Sequence, residues 1–251
     1  MTDIFADIST WALAGMAGAI MLAAILRAFT GFGFALAALP VLSLFLSPTT
    51  AASVIVLLTL AISLQTLPSY WSDVPLRTMG GMLVLSAIGT LGGTYLLLLF
   101  SADVFRLLIG LTVMLACILL MRFKPAPHRE GGIYGLTAGL SSGLMNGALA
   151  IPGPPVIIYA MAVYSEARTS RAFLMGFFLL SAALATCTYS FEGIMGVREL
   201  SLALVAYPAM LIGDKVGATL FEKHGTATHR KIAILALFAI GLSVAAASIY
   251  K

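Results

Sequence analysis

Arg27 lies at the end of an apolar run, four residues before a break spelled Gly31-Phe32-Gly33-Phe34. A second break, Gly143-Leu-Met-Asn146-Gly147-Ala-Leu-Ala-Ile-Pro152-Gly153-Pro154-Pro155, sits in an equally uncharged stretch. Glycine costs about 1 kcal/mol in a helix interior and proline about 3, so each cluster interrupts a helix. The planar guanidinium of Arg27 matches the oxygens of a small oxyanion. A short helix starting after Gly33, and another starting at Pro154-Pro155, would aim N–H groups and the positive dipole end at the same kind of ligand. The candidate substrate-binding residues are therefore Arg27, Thr30, Gly31, Phe32, Gly33 and Phe34 at the first break and Asn146, Gly147, Gly153 and Pro154 at the second. Ser141, Ser142, Asn146 and Thr30 are uncharged donors that either coordinate a ligand or satisfy the broken backbone. No carboxylate stands near Arg27 in sequence, so the site reads as electropositive without a counter-charge.

Asp214-Lys215 is the charged pair inside a long apolar segment. Sequence neighbours do not face each other on a helix, so the two are not expected to pair. Asp214 is the candidate for a coupling proton, and Lys215 is placed to snorkel toward a surface. Enzymatic chemistry finds little material. His128, His224 and His229 are expected in loops, and no acidic cluster adjoins the breaks. Cys117 and Cys187 lie in apolar runs without metal-ligand spacing and read as free, buried thiols. No metal and no cofactor is expected. No basic run carries interleaved aromatics, which removes support for nucleic-acid binding.

These residues need a scaffold, and the composition says which. Of 251 residues, 61% are hydrophobic and 10% charged. Soluble domains carry about 25% charged residues, so most of this surface faces lipid. The chain reads as one polytopic, all-α membrane domain. Its N-terminus, with Asp3 and Asp7, lacks the positive region of a cleavable leader, so the first apolar segment is expected to be retained.

The apolar segments fall into two sets of five. Residues 10–27 and a short run 35–47 precede longer segments near 49–67, 76–99 and 104–121. After a polar linker at 122–131 come 132–150, a short run 155–164, and longer segments near 172–190, 199–221 and 230–250. Gly89, Gly93 and Arg106 recur 124 positions later as Gly213, Gly217 and Arg230, and Pro40-Val41 recurs 115 positions later as Pro155-Val156. An internal duplication explains this, with residues 1–121 as the first repeat and 132–251 as the second. The isolated glycines 89, 92, 93, 213 and 217 read as helix-packing positions. The run 35–47 reaches only about 20 Å as a helix, against a hydrocarbon core of about 30 Å. The first two segments of each repeat therefore form a broken or re-entrant hairpin.

An odd number of crossings per repeat inverts the second repeat relative to the first. That arrangement gathers Arg77, Arg122, Lys124, Arg129, Arg168, Arg171, Lys223, Arg230 and Lys231 on one side and leaves Arg106, Arg198 and Lys251 on the other. The positive-inside rule then makes the first side cytoplasmic and both termini periplasmic. Paired Gly/Pro-interrupted segments in two such halves point to a transporter's binding site.

The motif Gly31-Phe32-Gly33 with Pro40, and Gly143, Gly147 and Gly153-Pro154-Pro155-Val156 with Tyr159, resembles the sulfite exporter TauE/SafE family of membrane permeases. The resemblance spans the whole chain, although Phe32 and Phe34 stand where the family usually has a Gly-Gly-Gly run. It implies a secondary transporter of sulfite or small organosulfonates in the bacterial inner membrane, with a small anion and membrane lipid as partners; the case for a coupling proton rests on Asp214 alone, and the coupling ion is left open. The alternatives are an intramembrane lipid-phosphate enzyme and a passive anion channel; the oligomeric state is left open.

Overall fold

The computed structural model describes residues 10–30, 33–122, 127–224, 235 and 237–246, with backbone only at 10, 28–30, 120, 167 and 221–224. Ten helices follow one another and no strand occurs among the described residues. They are α1 (Thr10–Thr30), α2 (Phe34–Leu42), α3 (Pro48–Thr66), α4 (Leu76–Leu99), α5 (Ala102–Arg122), α6 (Gly132–Leu149), α7 (Gly153–Val163), α8 (Ala167–Phe191), α9 (Val197–His224) and α10 (Leu237–Ala246). Helices α3, α4, α5, α8 and α9 are long and apolar enough to cross a bilayer. The turn-rich 68–75 stretch forms two 3-10 turns, Leu67–Ser69 and Trp71–Asp73. Helix α2 is shorter than its apolar run, and α7 is about as long as its own. Helix α2 has 9 residues and α7 has 11, lengths of about 14 and 17 Å.

Two compact units divide the chain, and each draws helices from both sequence halves. The first contains α1, α2, the start of α3, α5, α9 and α10; the second contains the rest of α3 with α4, α6, α7 and α8.

In the second unit α4 and α6 approach backbone to backbone. A Cβ on Gly139, Gly143 or Gly147 of α6 would strike the main chain of Met82, Ser86 or Thr90 on α4. Reciprocally, a Cβ on Gly89 or Gly93 would strike the main chain around Leu140 or Leu144. Each row repeats every fourth residue, which stacks the glycines along one helical face. The opposite face of α4 carries exposed Val84, Ile88, Leu91, Tyr95 and Leu98, while Ser86, Thr90 and Thr94 are buried. Small and polar inside, large and apolar outside, is the arrangement that suits lipid: apolar burial drives nothing there and close packing must.

The first unit repeats the device. Gly213 of α9 lies against the main chain of Met21 and the Ala24 methyl on α1. Gly110 of α5 and Gly241 of α10 each meet the other's carbonyl oxygen. Thus the fourth helix of one half packs on the first helix of the other half in both units, at the glycines separated by 124 positions. The packing role read for Gly89, Gly93 and Gly213 holds.

Three details differ from expectation. His224 closes α9 instead of lying in a loop. Cys187 is exposed while Cys117 is buried, because its position on α8 faces outward. Pro208 sits inside α9, where the lost N–H interrupts the hydrogen-bond ladder at a place no sequence expectation had marked.

Replacing Gly143 with Val should abolish the α4/α6 contact, since the obstacle is backbone and cannot turn aside. Gly18→Ala, with open space around it, should leave thermal stability unchanged within about 0.5 kcal/mol. Yield and melting of the two purified variants in detergent check the contrast.

Candidate functional site

In the first unit α1 breaks and α2 begins. Gly33 caps α2 with φ 96°, a left-handed conformation that favours glycine, and its carbonyl accepts the Ala37 N–H at 3.0 Å. The helix start after Gly33 is therefore as expected, and every residue of the first turn, Phe34, Ala35 and Leu36, retains an N–H. Phe34 is buried in this unit's core. Gly31, Phe32 and the side chain of Thr30 lie outside the described residues.

Arg27 occupies the last turn of α1, where the helix dipole favours a cation. It is not without a counter-charge. Its Nη1 donates to Asp214 Oδ1 at 2.8 Å across the α1/α9 contact, joining residues 187 positions apart. The two side chains are 15% and 24% exposed. The cause lies one residue away. Gly213 lets the α9 backbone settle on Met21 and Ala24, one turn before Arg27, so the next carboxylate reaches the guanidinium. The expectation of an electropositive site with no carboxylate is thus overturned: the two candidates read separately from sequence, Arg27 and Asp214, form one ion pair. An arginine alone at bilayer depth costs at least about 2.5–3.5 kcal/mol, and pairing is the usual remedy.

Elsewhere in the first unit charge closes helix ends. Arg106 donates from Nε to the Ser43 carbonyl beyond α2 at 2.8 Å and pairs with Asp103 at 3.2 Å. Thr50 donates its hydroxyl to Glu199 at 3.0 Å.

In the second unit α6 ends at Leu149 and turns through Ala150, a non-glycine residue at φ 51°. The Ala150 N–H reaches the Asn146 carbonyl at 2.8 Å, the 5→1 bond of an αL cap, and the Ile151 N–H reaches the Met145 carbonyl at 3.4 Å. Side chains take up the remaining polar groups of the break. Tyr189 of α8, fully buried, donates to the Gly147 carbonyl at 2.7 Å. Ser142 donates to the Pro152 carbonyl, and Asn146 Nδ2 to the Ser181 carbonyl at 2.9 Å. Ser142 therefore satisfies broken backbone, and Ser141 bonds back to Thr137 on its own helix. Nothing in the sequence marked Tyr189 or Ser181. The signal available was a tyrosine inside an apolar segment, while Ser181 takes part through its main-chain carbonyl, which no side chain announces.

Helix α7 starts at Gly153, one residue earlier than expected, with Pro152 as N-cap and Pro154 and Pro155 in the first turn. A helix start leaves four N–H groups unbonded. Proline supplies none, so from Pro152 to Pro155 only Gly153 retains one. This end has the dipole but few donors, unlike the start of α2. Gly153 is buried, and a Cβ there would meet the tips of Ile157 at 3.3 Å and Phe178 at 4.0 Å, whereas one on Gly147 would strike the Thr90 main chain. The hydroxyls of Ser86 and Ser181 are buried without partners. Among the described residues no group of three metal-binding side chains comes together.

Arg27→Ala should destabilise the protein by about 1.5–3 kcal/mol, because it leaves a partly buried carboxylate unpaired. Asp214→Ala should cost about the same, and the double variant less than the sum. Melting temperatures of the three variants at fixed detergent and salt give the coupling.

Comparison with known proteins now bears on the whole chain. Residues 16–244 match the profile of the family described as Sulfite exporter TauE/SafE. The chain is also 28% identical over 223 residues to a protein of Cupriavidus necator named "Probable sulfite/organosulfonate exporter TauE", covering 86% of each chain. No solved structure gives a significant match. An all-helical membrane chain with two broken helices, matched over nearly its full length, belongs to the sulfite exporter TauE/SafE family and is a transporter, not an enzyme.

Proposed function

We propose that this protein is a secondary transporter that carries small sulfur-containing oxyanions, sulfite or organosulfonates, across the bacterial inner membrane. The observation that carries the reading is the placement of Arg27. It sits in the last turn of α1, directly before the break from which the donor-rich start of α2 opens. A guanidinium offers a planar fork to two oxygens of a sulfonate or sulfite, and a helix start adds N–H donors without a further full charge. Gly31, Phe32, Gly33, Phe34 and Thr30 are the candidate ligand contacts beside Arg27 at the first break. Asn146, Gly153 and Pro154 are the candidate contacts at the second break, with Gly147 securing α6. Asp214 is the group that takes the coupling proton. The name of the Cupriavidus necator relative supports the substrate class.

The two repeats, residues 1–121 and 132–251, are inverted in this reading, with the linker at 122–131 cytoplasmic and both termini periplasmic. The recurrence of one packing device, first helix on fourth helix, supports the duplication. The short arms α2 and α7 enter without crossing, since neither matches a hydrocarbon core of about 30 Å.

Flux of sulfite and of methanesulfonate into proteoliposomes tests the function, with sodium and a neutral sugar as controls. The Arg27→Ala/Asp214→Ala double variant removes the cation without stranding a carboxylate. It should lose anion affinity by about 10–150-fold, and Arg27→Lys should fall between it and the wild type. Wild-type flux in the double variant would exclude Arg27 from the site. For topology, single cysteines at positions 124 and 251, in a chain freed of Cys117 and Cys187, should label from opposite sides. Labelling from one side would remove the inversion.

A further inference from the structure

We propose that the Arg27–Asp214 pair makes anion and proton bind together: an entering monoanion replaces the Asp214 carboxylate on Arg27, and the released carboxylate takes up one proton. The inference rests on the reading that Arg27 holds the transported anion. Its observation is the 2.8 Å contact between Nη1 and Oδ1, which puts Asp214 where a ligand oxygen would bond. An anion arriving at the guanidinium meets a like charge within hydrogen-bonding range. Two negative groups so close, mostly removed from water and sharing one cation, disfavour each other's ionised form. A sulfonate cannot hold a proton at neutral pH, so the carboxylate accepts it. The proton comes from the aqueous path by which the anion enters, no bond in the ligand changes, and the site's net charge is the same before and after.

Among the described residues of α1, α2 and α9, no cation other than Lys215 lies within one turn of the pair. Helix α1 carries no charged or titratable group besides Arg27 within Thr10–Thr30, and α2 carries none. On α9 the residues one turn from Asp214 are Met210, Leu211, Gly217 and Ala218. Lys215 is exposed and its sequence position turns it to another face. The next titratable residues along α9 are Tyr207, two turns before, and Glu222, Lys223 and His224, two turns or more beyond. The described part of α10 has no charged residue. Protonation is therefore the way the site restores neutrality.

Thermodynamic linkage then fixes the sign. If the anion promotes proton binding, the proton promotes anion binding by the same factor. Anion affinity must rise as pH falls, by up to about tenfold per pH unit over the range in which binding takes up one proton. A monoanion and a proton crossing together carry no net charge, so the membrane potential should not drive their flux. An exchanger that swapped a proton for an anion would show the opposite pH trend.

The test uses the full-length protein in lipid nanodiscs and proteoliposomes with methanesulfonate, which stays a monoanion throughout the pH range, whereas sulfite changes between monoanion and dianion. Calorimetry in two buffers of different ionisation enthalpy should show uptake of about one proton per methanesulfonate bound. Flux should be unchanged when a potassium gradient with valinomycin sets the potential. Asp214→Asn should bind without proton uptake, lose the pH dependence, and gain a flux that follows the potential. Methanesulfonate binding by the wild type with no proton uptake, or pH dependence retained in Asp214→Asn, overturns the coupling while leaving the anion site standing. Absence of methanesulfonate and sulfite binding to the wild type overturns the anion site and the coupling with it. The wild-type calorimetry decides the matter even if Asp214→Asn does not fold.

Discussion

A backbone that stops being helical inside hydrocarbon must find partners for the N–H and C=O groups it releases, each costing several kcal/mol if it fails. The second break shows how completely this constraint shapes its surroundings. Carbonyls of Asn146 and Gly147 go to Tyr189, the Pro152 carbonyl goes to Ser142, and the chain reverses through a left-handed Ala150. Three prolines then remove the donors that would otherwise need partners at the start of α7. The break is affordable because a buried tyrosine from α8 and a serine from α6 stand beside it.

Those partners can stand there only because the helices pack on their backbones. Glycine at every fourth residue of α6 lets α4 close on it, and the same device brings α9 onto α1. The consequence differs between the two contacts. On α6 the glycines bind one helix to another and leave polar chemistry to Asn146 and Ser142 at their edge. On α9 the glycine next to Asp214 delivers a carboxylate to Arg27. Packing thus determines the electrostatics: a bulkier residue at Gly213 would push Asp214 away from the cation it neutralises.

How much of this could be read in the sequence depends on the range of each interaction. Helix positions could be, because apolar runs and Gly/Pro interruptions are local; the start of α2 after Gly33 and the brevity of α2 and α7 follow from a dozen residues. The packing role of Gly89, Gly93 and Gly213 was also legible, since small residues at helical spacing in apolar segments have few other uses. The Arg27–Asp214 pair was not, because its partners lie 187 positions apart and nothing near either names the other. Tyr189 was hidden for a related reason: one hydroxyl in an apolar helix is silent until the carbonyl it serves has a place. The α7 start was misjudged although its prolines were in plain view, since proline favours a helix start geometrically while deleting the donors that an anion would use.

On the proposed reading, the paired arginine changes what kind of anion site Arg27 can make. A bare guanidinium among apolar helices would hold an oxyanion tightly, and would itself be costly to keep in the absence of ligand. With Asp214 in place the empty site is already neutral, so it does not depend on a ligand for its stability. On the proposed reading, a ligand gains only the difference between its own contacts with Arg27 and those of the carboxylate it displaces. A site that works by such exchange binds modestly and releases readily, because Asp214 returns as the anion leaves. For a transporter this is the useful compromise: tight binding in one orientation would slow release in the next, while an internal competitor keeps both states of similar energy. Selectivity then comes from whatever distinguishes an oxyanion from a carboxylate, and the donor-rich start of α2, beyond the break that follows Arg27, is the feature of this unit suited to count oxygens.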